Sequence, residues 1–144
     1  DGDEVLSDNG FLLKKLGPEK GCDAYDIHMI HFVGNLSTVD ATVPKHFVMK
    51  RFFKNQPGLK YPEVEHPVLL GSKKLGVIDE VTIFHYAYTK GVWDVLKKYH
   101  NHIKKSNMHS KEFLVWWKDS HLFGKYPTAP FDGEHPEPIR ELII

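Results

Sequence analysis

Residues 42–59, TVPKHFVMKRFFKNQPGL, are the stretch on which the reading of this chain turns. Val48 and Phe52, like Met49 and Phe53, recur at i, i+4, the spacing that gathers apolar side chains on one helix face. Lys45, Lys50, Arg51 and Lys54 supply the polar side. Thr42 suits an N-cap, and Pro44 suits a first turn, where an amide hydrogen has no intrahelical partner. Asn55-Gln56-Pro57-Gly58 then stops the element, since Pro57 cannot extend the hydrogen-bond ladder and Gly58 permits positive φ. The spacing predicts one amphipathic helix crossing over a sheet, because extended segments lie on both sides.

On the N-terminal side, residues 25–33, YDIHMIHFV, predict a strand. Tyr25, Ile27, Met29 and His31 point one way; Asp26, His28, Ile30 and Phe32 point the other. Apolar residues on both faces predict a central strand covered on both sides. Before it, residues 11–16 read as one or two helical turns halted by Gly17-Pro18, and residues 1–10 as an acidic lead or docking arm. Residues 34–41 read as a polar loop.

On the C-terminal side, 59–64 and 68–70 read as short strands, the first weakened by Pro62. Residues 77–88 hold the last strand, β-rich around 81–86. A helix follows to about Lys105, with Val92, Val95, Leu96, Tyr99 and Ile103 in a helical stripe. Ser110 is placed to cap a third helix over 111–120, which carries Phe113, Trp116 and Trp117. Residues 124–138 hold Pro127, Pro130, Pro136 and Pro138 with Tyr126 and Phe131 among them. Such a stretch is expected to lie as an arm on another subunit, with Trp116, Trp117, Tyr126 and Phe131 as anchors. The alternative is an arm folded back over its own sheet. The order of elements predicts an α/β or α+β sandwich, helices against a small mixed sheet.

The chain has 144 residues, enough for one domain, and 19 basic residues against 19 acidic ones. That balance argues against a dominant phosphate-binding surface, though not a local one. Cys22 is the single cysteine, so no internal disulfide and no CxxC pair can form. No apolar run reaches the length of a membrane span. The chain opens on Asp1 without an apolar signal region, as a form trimmed of a targeting segment would.

Ten histidines raise the question of a metal. His28 and His31 fall on opposite strand faces, and His100 and His102 diverge on a helix, so neither pair has chelating geometry. HExxH, G-x-S-x-G and the phosphate-loop and dinucleotide glycine patterns are all missing. Asp79-Glu80 reads as part of a turn. No cofactor and no catalytic residue is expected. The chemistry-bearing signal is basic: Lys45, Lys50, Arg51 and Lys54, then Lys97, Lys98, Lys104 and Lys105, candidate contacts for phosphate or for a partner protein.

Several of these features together resemble the L51/S25/CI-B8 family. They are Phe47-Val48 followed by Lys50-Arg51, the break over 55–58, Pro67 before Val68-Leu69-Leu70, and a closing strand and helix. The resemblance covers residues 23–105 and implies a thioredoxin-like domain over 23–106. An N-terminal extension (1–22) precedes it, and a C-terminal helix and extended arm (107–144) follow it. Two helices would pack on a small mixed sheet. The resemblance further implies a non-enzymatic structural subunit of a mitochondrial assembly on the matrix side. A mitochondrial ribosomal protein is the first expectation and an accessory subunit of respiratory complex I the second. Its partners would be neighbouring subunits and, through the lysines, rRNA. From the residues alone, an enzyme or ligand-binding domain of unrecognised type stays open.

Overall fold

The architecture is built on β2 (Ala24–Val33), whose two edges are both occupied. The structure is a computed structural model that describes residues 4–44, 47–58, 71, 74–89, 91–105 and 110–142. In chain order the other elements are β1 (Glu4–Leu6), a 3-10 turn (Gly10–Leu12), α1 (Leu13–Lys20), β3 (Thr38–Asp40), β4 (Val48–Phe53) and β5 (Leu75–Tyr88). They are followed by α2 (Val92–Lys105), α3 (Lys111–Leu122), β6 (Thr128–Pro130) and α4 (Glu137–Arg140). One edge of β2 pairs in parallel with β5. The other is shared, antiparallel, by β4 along its first half and β3 near its end. β1 extends the sheet beyond β5 and β6 extends it beyond β3. The result is a mixed α/β domain on a six-stranded mixed sheet.

The stretch read as a crossing helix is a strand. β4 runs against β2 with Tyr25 opposite Phe52 and Asp26 opposite Lys50, so Arg51 is an extra residue in a β-bulge. The i, i+4 pairs Val48/Phe52 and Met49/Phe53 fit a strand of period two as well as a helix. The bulge then parts the members of each pair, so that Phe47, Met49 and Phe52 pack on one core while Val48 and Phe53 stay exposed. The residues that carried the resemblance in this region, Phe47-Val48 and Lys50-Arg51, therefore lie in or beside a strand. The expected strands over 59–64 and 68–70 lie outside the described residues, as does Lys45.

The sheet has a core on each face. Tyr25, Ile27, Met29, Ile78, Val81 and Ile83 form one with Leu13 of α1. Phe32, Phe84 and Tyr86 form the other, with Ile30, Val39, Phe131 and Ile139 against it. The alternation read along β2 matches this division. The N-terminal residues are thus not a loose lead: β1 pairs with β5, and Leu13 is buried. Nor does Gly17-Pro18 stop the helix, since α1 continues to Lys20. Gly17 lacks the Cβ that a following proline ring would clash with. Its flat surface also seats the Phe52 ring, with which a Cβ there would clash.

The C-terminal arm folds back over its own sheet rather than projecting. β6 pairs with β3, and the Phe131 ring meets Phe32 edge-on at 4.9 Å. Asp8 accepts from the Glu137 amide at 2.8 Å and pairs with Arg140 at 3.0 Å. These bonds join the two ends of the chain and hold the Asp8 carboxyl below its usual range. The loop expected over 34–41 contains β3, because its Val39 completes the second core. Asp79 and Glu80 sit where β5 slips register against β2, between Ile78 and Thr82. α3 begins as expected, with Ser110 Oγ accepting from the Phe113 amide at 3.1 Å.

Candidate functional site

α2 is amphipathic in an unequal way. Val95 is buried, and Leu96 and Tyr99 are half-buried, on the side facing α3, where the Lys118 ammonium sits 5.0 Å from the Tyr99 ring centre. At 3.6 residues per turn, the opposite side gathers Trp93, Lys97, His100 and Lys104 in one stripe. All four are exposed, and Trp93 retains 82% of its surface. An indole left in water along a whole helix face is the informative kind of exposure, because aromatic side chains normally carry core or interface energy. Val92, Ile103, Phe113 and Trp116 add further exposed apolar surface on the two helices.

The basic residues picked out in the sequence divide into two groups rather than forming one surface. On β4, Lys50 reaches Asp26 at 3.7 Å, and the bulged Arg51 is tied to Glu4 at 2.8 Å. Lys54 is exposed at the end of that strand. On α2, Lys98 turns inward over the Tyr88 ring, 4.2 Å from its centre, while Lys97 and Lys104 face solvent. The side chain of Lys105 lies outside the described residues. Of the proposed anchors, Trp117 is buried and Phe131 packs within the second core. Tyr126 packs at a tilt against His121, with ring centres 4.1 Å apart, and donates to Asp40 at 3.1 Å. Trp116 alone keeps a large exposed area.

Beside the N-terminus of α2 is a second feature, an open cleft of about 370 Å³. It lies at the carboxyl ends of the parallel pair, where Val33 ends β2 and Tyr88 ends β5, with His121 and Tyr126 on its far wall. Crevices at this end of parallel strands are where open α/β sheets commonly bind ligands. His121 Nδ1 donates to the Trp117 carbonyl at 2.8 Å, which leaves Nε2 as an acceptor. Nε2 is buried without a hydrogen-bond partner among the described residues. Burial lowers the His121 pKa, against the opposing pull of the Trp117 carbonyl and the Asp40 charge, so the ring is neutral at pH 7. Burial also raises the Tyr126 pKa, and its phenol stays protonated.

Elsewhere, His31 and His85 face each other across β2 and β5 with Nδ1 atoms 2.8 Å apart, one ring donating and the other accepting. Among the described residues no group of three or more His, Cys, Asp or Glu is placed to hold a metal, and no helix is long and apolar enough to cross a membrane.

Two residues of these sites were not picked out in the sequence. Trp93 carried a signal, a large aromatic residue on the polar side of a helical stripe. His121 carried none, since its neighbours Tyr88, Trp117 and Tyr126 come together only on folding. The fold and its surface define an α/β domain with an aromatic and basic helix face beside a strand-end cleft. Comparison with protein-family models, with curated proteins and with solved structures returned no match.

Proposed function

We propose that this chain is a non-enzymatic structural subunit of a large assembly, docked through the outer face of α2. The supporting observation is Trp93, almost fully exposed in line with Lys97, His100 and Lys104. An indole flanked by cations suits an anionic partner, the ring stacking or inserting while the lysines neutralise charge. The family resemblance makes rRNA in a mitochondrial ribosome the first partner of that kind. The balanced net charge, 19 basic against 19 acidic residues, favours a second reading in which the partner is a protein of a respiratory complex. The thioredoxin-like description belongs to this proposal and rests on the same resemblance.

Sedimentation of detergent-solubilised extract, with and without nuclease, tests the reading against a triple variant, W93A/K97E/K104E. The wild-type chain should co-migrate with a fast particle, and the variant should stay at the top of the gradient. Collapse of the particle by nuclease would identify RNA, and persistence would identify the respiratory complex. A wild-type chain that stays at the top as a free protein overturns the proposal.

A further inference from the structure

We infer that His31 and His85 form an acid-operated clasp across the two central strands, sharing one proton and opening when a further proton makes both rings cationic. They stand directly opposite each other in the β2–β5 ladder. Their Nδ1 atoms are 2.8 Å apart, and the rings meet edge to face with centres 4.8 Å apart. A contact of that length needs one N–H donor and one bare nitrogen. Two neutral rings meet the need when one carries its proton on Nδ1 and the other does not. One cation and one neutral ring meet it better, because the bond is then charge-assisted. Two cations cannot meet it: both Nδ1 atoms carry protons, and like charges face each other at hydrogen-bond distance.

The surroundings press the same way. Tyr88 of β5 meets the His85 ring edge-on, with centres 5.6 Å apart. Lys98 of α2 lies over Tyr88 at 4.2 Å, and the His121 ring of α3 is 5.7 Å from it. Beside β4, the Phe47 ring packs against His31 at 5.2 Å. These are the groups that the packed elements bring toward the pair among the described residues. In acid none of them carries a negative charge, and Lys98 adds a positive one.

The clasp holds the end of the central ladder. The pairing of β2 with β5 slips register just past the histidines, between His31 and Val33, and resumes where Val33 meets Tyr88. The Gly34 amide then donates to the Tyr88 carbonyl at 2.9 Å. Such a slip leaves a short terminal stretch that the regular ladder does not support. Rings driven apart would push on Phe47 and Tyr88 and release that stretch, together with the seat of Lys98 on the Tyr88 ring.

Nitrogen NMR of the full chain with labelled histidines tests this directly. Near neutral pH, a scalar coupling across the N–H···N bond should join Nδ1 of His31 to Nδ1 of His85. On acidification the first proton should enter with the coupling kept. The second should bind at least about tenfold more weakly, beyond the statistical difference between two equal sites. That second step should abolish the coupling and lower the exchange protection of the Gly34 amide by about tenfold or more. H85N keeps a hydrogen-bonding group near the Nδ1 position but cannot take the charge. It should fold at neutral pH by circular dichroism and keep the Gly34 amide protected where the wild type has released it. H31N should do the same from the other strand. Absence of the coupling near neutral pH, independent titration of the two rings, or a Gly34 amide that stays protected once both protons are bound would each overturn the inference. So would the same acid release in folded H85N and H31N as in the wild type.

Discussion

Tyr86 Oη and His135 Nδ1 lie 2.9 Å apart, and only one arrangement of protons satisfies the histidine. Its Nε2 is 2.8 Å from the Leu36 carbonyl, which can only accept, so Nε2 donates and Nδ1 accepts from the phenol. The relay joins β5, the loop after β2 and the C-terminal arm beneath the stacked rings of Phe32 and Tyr86.

Y86F should therefore cost about 1 kcal/mol, since it removes the donor to a half-buried acceptor while keeping the ring. Burial raises the Tyr86 pKa well above the ordinary phenol value. An acid whose folded pKa is raised gives stability that is complete below the unfolded pKa, near 10, and is lost as pH rises beyond it. Urea midpoints should fall above about pH 10 in the wild type and fall less steeply in Y86F. Equal slopes would remove Tyr86 from the relay.

The arm is held by Phe131, whose ring meets both Phe32 and Phe84 edge-on. F131A should destabilise the chain by about 3 kcal/mol. It should also open residues 124–142 to limited proteolysis before the strands are cut. Unchanged resistance of the arm would show that β6 pairing and the Asp8–Arg140 contact suffice.

Replacing a helical glycine by alanine usually stabilises a protein by about 1 kcal/mol. G17A should do the opposite, because the new methyl would press on the Phe52 ring of β4. A loss of about 1–3 kcal/mol is expected, with partial recovery in G17A/F52L. The sign of the change, read by chemical denaturation, is the test. Stabilisation would mean that α1 does not seat on β4 as described.

His121 should titrate below the ordinary value near 6.5 in NMR-monitored pH series, with burial as the main cause. For a base whose folded pKa is depressed, the stabilisation is present above the unfolded pKa and is lost as pH falls through the folded one. Acidification below about pH 6 should then lower wild-type stability, and H121L should lack that part of the loss. Titration at or above the ordinary value would contradict a buried neutral ring.

Much of the architecture could be read along the chain because its signals are local. The faces of β2 follow from strict alternation over Tyr25, Ile27 and Met29 against Ile30 and Phe32. α2 and α3 were visible in a helical stripe and in the Ser110 cap, which bonds within one turn. The β4 stretch failed for a nameable reason. An i, i+4 spacing fits a strand as well as a helix, and only the pairing of Phe52 with Tyr25 and Lys50 with Asp26 shows the strand and its bulge at Arg51. Gly17-Pro18 looked like a stop because helix breaking is a local rule, whereas Leu13 and Phe52 hold α1 through packing.

The candidate sites divide in the same way. Lys97, Lys104 and Trp93 share a face by helical period alone, so the sequence by itself determined this aromatic and basic stripe, along with the single thiol and the balance of charge. The cleft, the neutral state of His121 and the return of the arm were decided only by tertiary structure. Each depends on residues far apart in the chain, such as Phe32 with Phe131 or Asp40 with Tyr126, and their burial and pairing arise when the strands bring them together.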